Sequence, residues 1–405
     1  MTTRRDVLKL VATGVICLGV GYGLGYLTAP RPSPSPEAAK TPIKIGVICP
    51  LSPPGDYGAG ALIRRGALLA KEYINKEIGG LLGRYVDIVI DDSSGVPEKG
   101  VAAAERLITQ EKVVGITGLY HSSVALAVQD VCERHHVPMI TMQAAAAKIT
   151  ERHYRYTFRA HAINPDRNKV ILNWAKSKGW KRIAVIAEDT DYGVGIVDNI
   201  KKIAPEMIPG SEILDIIFPR TVTDLTPQLL EIKDWGPDLV YNVGVGAAAY
   251  LIIEQAYDIG LFPSTPMIGS YDFPLKPDFW ESVGEKGVGI YFISYYHPQM
   301  EMTDLGKWAF NRYKELYNEL PVYSTLNEFG VVLILAQAIE QAGSDDPEAI
   351  TDALIKGTFV SWNSDKVTFP EGEGIYWHQF SIPMLILQFT EKGQGITEAR
   401  IEYSG

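Results

Sequence analysis

The chain has 405 residues, 46% of them hydrophobic and 21% charged, a globular composition that excludes a disordered or low-complexity protein. Its 38 Lys and Arg against 48 Asp and Glu leave a net charge of −10, and since Arg4, Arg5, Lys9, Arg31 and Lys40 crowd into the first forty residues, the remainder is more acidic still. Nucleic acids and anionic membranes select clustered cations, so neither is expected as a partner.

In chain order, the first segment is basic and then apolar: TTRRDVLK is followed by a run without a single charge over residues 10–29. This order resembles a twin-arginine export signal, with Arg4 and Arg5 ahead of Lys9. At about 20 residues the run also has the length to anchor the chain in a bilayer, so residues 1–29 read as an export signal or membrane anchor, cleaved or retained. The proline-rich stretch PRPSPSP then favours extended chain, and residues 30–42 form a spacer. A working domain on the outer or periplasmic face of the membrane is expected.

From residue 43 the pattern alternates. IKIGVIC reads as a strand, Ile63, Ala67, Ala70 and Ile74 recur at helical spacing, and YVDIVIDD is a second strand. Helices are expected over 97–111 and 122–135, with strands at VVGIT and VPMIT. A second series starts after residue 160: a helix over 167–178, RIAVIAED, a helix over 193–204, EILDIIF, a helix over 225–233, DLVYNVG, a helix ending near 259, and TPMIG. Helices over 303–319 and 327–342 and the segment PEAITDALIKG follow, before VTFP and the apolar IPMLILQF. Short continuous apolar strands separated by helices imply parallel sheets covered on both faces, hence two α/β lobes joined near residues 160–165, with the late elements recrossing between them. Ligands of such sheets bind at the carboxyl ends of the strands, here in a cleft between lobes.

These segments, in particular residues 43–92, GITGLYHSSVALAVQDVCERHHVPMIT, RIAVIAEDTDYGVGI and GVVLILAQAIEQAGSDDPEAITDALIKG, resemble the branched-chain amino acid binding proteins of ABC transporters over roughly residues 43–395. The resemblance implies the type I periplasmic binding fold: two Rossmann-like α/β lobes with parallel sheets, three hinge crossings and a central ligand cleft. Lobe 1 is then expected at 43–161 and 296–377, and lobe 2 at 162–295 and 378–405. It also implies a non-enzymatic receptor without a cofactor, a monomer that captures a small ligand and delivers it to an ABC permease in the membrane.

Carried over position by position, the family's ligand contacts fall on Tyr57, on Tyr120 and Ser122 in LYHSS, on Ala144 and Ala145 after VPMIT, on Tyr192 in DTDYGVG, and on Tyr271 with Asp272 beside it. LYHSS follows a strand and opens a helix, which makes it an anion cradle, with N-capping by Ser122 as the structural alternative. Asp272 is the acid available for a ligand ammonium, or else a solvated turn residue. Three departures from the family's pattern bear on specificity. Ala145 stands where a hydroxyl is usual, Val245 where a tyrosine is frequent, and the loop after Asp92 and the position of His121 hold no cysteine. An amide, urea, or an aromatic or aliphatic carboxylate therefore remains open beside an amino acid.

Two rival classes weigh less. GVGAAA at 244–249 fits a dinucleotide fingerprint, but after the third strand of a second lobe its glycines read as letting a helix start close to the cleft. A ligand sensor signalling to a partner uses the same fold; an export signal with no further domain after Gly405 favours transport. Cys49 and Cys132 lack zinc spacing and read as buried free thiols.

Overall fold

The computed structural model describes residues 41–404. The export signal or anchor at 1–29, the spacer, apart from its last two residues, and Cys17 lie outside the described residues. Among those described, no helix is long and apolar enough to cross a membrane.

Two sheets organise the chain. The first runs in the order β11-β5-β4-β3-β1-β2, all parallel, and consists of β1 (Ile43–Cys49), β2 (Val86–Asp92), β3 (Ile116–Thr117), β4 (Met139–Thr141), β5 (Thr157–Ala160) and β11 (Gln379–Phe380). The second runs β13-β12-β10-β9-β8-β6-β7 and consists of β6 (Arg182–Glu188), β7 (Glu212–Phe218), β8 (Leu239–Val243), β9 (Met267–Gly269), β10 (Tyr291–Ser294), β12 (Leu385–Gln388) and β13 (Arg400–Ser404), with only the β10-β12-β13 ladder antiparallel. Strands β1, β6 and β8 are buried almost throughout because helices cover both faces, which explains their unbroken apolar sequence. Their neighbours β2 and β7, at the sheet edges, show more exposed residues.

In each sheet the strand order reverses beside a central strand, between β1 and β3 in lobe 1 and between β6 and β8 in lobe 2. The loops leaving these strands open side by side, and such switch points are where open α/β sheets bind ligands. The helices that start there are α1 (Tyr57–Glu72), α3 (Ser122–His135), α6 (Asp191–Met207) and α8 (Ala247–Asp258). The remaining helices are α2 (Pro97–Thr109), α4 (Lys148–Glu151), α5 (Asn164–Lys178), α7 (Thr226–Trp235), α9 (Phe279–Val283), α10 (Asp304–Tyr317), α11 (Tyr323–Ala342) and α12 (Pro347–Lys356). Helix α11 is apolar nearly all round and buried over most of its length, as a helix enclosed by its lobe must be.

The chain crosses between lobes three times: between β5 and α5, between β10 and α10, and between β11 and β12. The last crossing falls after residue 380 rather than at 377/378, because Gln379 and Phe380 pair in parallel with Arg159 and Ala160 and so extend the first sheet. VTFP forms no strand; Val367 makes only an isolated bridge to Phe359. Cys49 and Cys132 are buried free thiols, as expected.

Candidate functional site

Helix α1 is capped by Asp56, whose carboxylate accepts the Ala59 N–H at 3.1 Å. The same carboxylate accepts the Tyr120 hydroxyl at 3.0 Å and forms an ion pair with Lys276 of lobe 2, both side chains at most 7% exposed. Burial alone would raise the Asp56 carboxyl; the Lys276 charge and hydrogen bond outweigh it and hold the group below the usual carboxylate range.

Further bonds join the lobes. The Arg220 guanidinium donates to the carbonyls of Gly95 at 2.6 Å and Pro54 at 3.0 Å and to His121 Nε2 at 3.0 Å. Burial first, and the Arg220 charge second, push His121 down to about 3, so it is a neutral acceptor. Gln143 Nε2 donates to Asp272 at 3.3 Å, and the Asp191 N–H to Ser123 Oγ at 3.3 Å. The structure is therefore a closed one, with the two sets of loops hydrogen-bonded across the cleft.

The bonds enclose a cavity lined by Tyr120, His121, Ser122 and Gln143 on one wall and by Arg167, Glu188, Tyr192, Val245 and Tyr271 on the other. The space between the walls is a slot of about 500 Å³, its opening to solvent included. Glu188, at the end of β6, is 1% exposed and accepts the Val245 N–H at 2.8 Å. Burial lifts its carboxyl to about 7, against the pull of that N–H and of Arg220. The Tyr271 hydroxyl accepts the Gly246 N–H at 3.1 Å. With Gly246 at φ +61° and no room for a Cβ at Gly244 within 2.8 Å of Ala249 N, the 244–249 glycines let α8 begin against the cleft.

At the base of the cleft, where the chain crosses between lobes, Arg167 of α5 donates to the hydroxyls of Tyr192, at 2.8 Å, and Tyr295. His161, from the first crossing, shares its Nδ1 with the Tyr323 hydroxyl at 2.7 Å, and its ring packs edge-on to Tyr295 at 4.7 Å. Tyr192 in turn donates to Ser270 Oγ at 2.9 Å.

Of the residues expected from sequence, Tyr120, Ser122, Tyr192 and Tyr271 meet around this one cavity. Tyr57 does not: it is 61% exposed as the first residue of α1, and the preceding residue, Asp56, is the one buried in the cleft. Asp272 is neither a solvated turn residue nor a cavity wall; it is 4% exposed, bonded to Gln143, and lifted by burial to about 6. Ala144 and Ala145 are fully buried behind Ser122, whose hydroxyl accepts the N–H groups of Ala145 and Ala146 at 3.2 Å each. Ser122 thus ties the loop after β4 to α3 instead of capping the helix, whose cap position is His121.

Sequence reasoning missed Asp56, Gln143, Arg167, Glu188, Arg220 and Lys276. An acid ending a buried strand is a legible signal for Glu188, and the turn sequence before α1 for Asp56. Arg167 carries none, since an arginine in a first helical turn reads as solvated.

Fold and site together define a two-lobed binder that closes on a small molecule at the carboxyl ends of two parallel sheets. The chain belongs to the periplasmic binding protein family, which matches residues 42–394. Among its relatives is Leu/Ile/Val-binding protein homolog 3 of Brucella melitensis, 28% identical over 338 residues that cover 83% of this chain and 89% of that one. A branched-chain amino acid transporter substrate binding protein of Streptococcus pneumoniae, solved in complex with isoleucine, superposes with a TM-score of 0.79 at 23% identity, covering 90% of this chain and all 100% of that one. A solute binding protein of an R. palustris ABC transporter, in complex with benzoate, gives a TM-score of 0.76 at 21% identity over 90% of this chain and 96% of the other. The last two establish the shared fold.

Proposed function

We propose that this protein is the extracytoplasmic receptor of an ABC importer, a monomer that captures a small solute of the amino-acid class by lobe closure and delivers it to a membrane permease. The observation that carries this reading is the closed cleft itself, with Asp56 to Lys276 and Arg220 to Gly95 and Pro54 fastening two lobes around a slot of small-molecule size. Family membership and the names of the Leu/Ile/Val-binding relatives support transport over catalysis. The Arg4-Arg5 pair and the apolar run of residues 10–29 support export by the twin-arginine route, with or without anchoring.

A second reading keeps the role and changes the solute to an aromatic or aliphatic carboxylate. Three phenols, Tyr120, Tyr192 and Tyr271, line the slot, no hydroxyl stands at Ala145, and the benzoate complex has the same fold.

Thermal unfolding of the protein against a panel of aliphatic and aromatic amino acids, simple carboxylates, amides and urea tests both. A solute at 100 times its Kd stabilises the fold by about 2.7 kcal/mol. A shift with leucine, isoleucine or valine selects the amino-acid reading, and a shift with benzoate-type acids alone selects the second. No shift with any of them removes both.

A further inference from the structure

Arg167 is 1% exposed, yet among the described residues no carboxylate lies within ion-pair distance of it. Its guanidinium donates to Asn164 Oδ1 at 2.9 Å, to the Tyr192 hydroxyl at 2.8 Å, to the Tyr295 hydroxyl, and to His161 Nε2 at 3.4 Å. All four acceptors are neutral: an amide, two phenols and an imidazole that burial keeps uncharged. The fifth donor, Nε–H, is buried without any partner. An arginine does not shed its proton to escape this situation, so a full positive charge stands in the wall of the cavity with its hydrogen bonds nearly met and no carboxylate in contact with it. Leaving an ion buried without a counter-ion costs several kcal/mol, and a ligand of opposite charge recovers it.

The other candidate for anion binding is already engaged. The N–H groups of Ala145 and Ala146 donate to the Ser122 hydroxyl oxygen, so two of the donors of the cradle expected after β3 and β4 are spent internally, and what that cradle still offers a ligand is the Ser122 O–H, a neutral donor. Neither nearby acid touches Arg167: Asp272 feels its charge only from a distance and accepts from Gln143, and Glu188 accepts from the Val245 N–H.

Building on the receptor reading above, we infer that Arg167 is the anion anchor of the site: the solute carries a carboxylate, which supplies the missing counter-charge at the hinge end of the slot beside Tyr192. The solute class narrows accordingly to carboxylates, amino acids included, and excludes amides and urea. The arginine also holds His161 from the first crossing and Tyr295 just after β10, so the anion is sensed where the lobes pivot.

The test uses matched pairs, leucine with leucinamide and benzoate with benzamide, measured by calorimetry on the protein and on Arg167→Gln and Arg167→Lys. The protein is expected to bind an acid about a hundredfold more tightly than its amide, as for loss of a charge-assisted hydrogen bond in a buried site. Arg167→Gln is expected to lose that preference and Arg167→Lys to keep part of it. A purely structural arginine would weaken acid and amide alike and leave their ratio unchanged, which overturns the inference. An amide bound by the protein as tightly as its acid overturns it too, without reference to any variant and with the receptor reading intact. No binding of any pair member overturns the receptor reading for these solutes and the inference with it.

Discussion

The cleft buries two cations, and it treats them differently. Lys276 is 7% exposed and meets Asp56 directly, with Tyr120 and the Ala59 N–H completing the carboxylate's hydrogen bonds. Arg167, deeper still, meets only neutral oxygens and nitrogens. In the first case the protein supplies both charges, one from each lobe, so the pair serves closure. In the second it supplies one, and that one lines the cavity. Local charge balance therefore separates a latch from a binding site within a single cleft, although both are polar clusters of similar composition.

Breaking the latch on one side should have the largest effect. Lys276→Met leaves Asp56 buried without a counter-charge, and a loss of about 3–5 kcal/mol is expected in thermal unfolding, together with a larger radius of gyration by X-ray scattering as the lobes part. Adding Asp56→Asn should restore most of the stability. If the single variant melts with the double, the pair does not hold the lobes.

A further buried ionisable group, Glu328 on α11, shows the alternative to pairing. It lies within lobe 1, accepts the Thr117 hydroxyl at 2.7 Å, and burial raises its carboxyl from the ordinary 4.5 to about 8. Folded protein therefore binds a proton that unfolded chain releases between these two values, so this group's contribution is full below pH 4.5 and is lost as pH rises toward 8. Stability should fall across that window by an amount on the order of a few kcal/mol, and Glu328→Gln should flatten the decline. Equal slopes for both proteins, read from denaturant unfolding at several pH values, would refute this account.

Ser122→Ala tests the engaged cradle. It removes the acceptor of two buried N–H groups, so a loss of about 1–3 kcal/mol in fold stability is expected, with the acid-to-amide preference of the site retained. A variant of normal stability that no longer binds the solute would return the carboxylate to Ser122. The smallest effect belongs to Tyr57→Ala. With its side chain 61% exposed and outside the cavity, a change within about 0.5 kcal/mol is expected in both melting and affinity.

Much of this architecture was readable without coordinates. Helix Ser122–His135 and strand Glu212–Phe218 appear at their expected limits, because apolar periodicity and flanking turns mark them unambiguously. Strand β5 escaped notice because Arg159, fully buried at its centre, breaks the apolar pattern; it is held by Ala146 O, Thr150 and Gln379. The same cause hid the site. Tyr120, Ser122, Tyr192 and Tyr271 sit at strand ends or helix starts and were legible through the resemblance to the binding-protein family. Arg167, Arg220 and Lys276 look like solvated surface in sequence, and long side chains disclose their partners only once folded.

Sequence by itself determined the alternation of strand and helix, the two series of parallel strands, and the strand ends at which open α/β sheets bind ligands. All of these follow from local periodicity and from the geometry of parallel sheets, which each segment carries in its own composition. Tertiary structure alone decided which charges cancel. Asp56 and Lys276 are 220 residues apart in the chain, and whether a buried cation finds such a partner, as Lys276 does, or lacks one, as Arg167 does, depends on distances that no local pattern encodes.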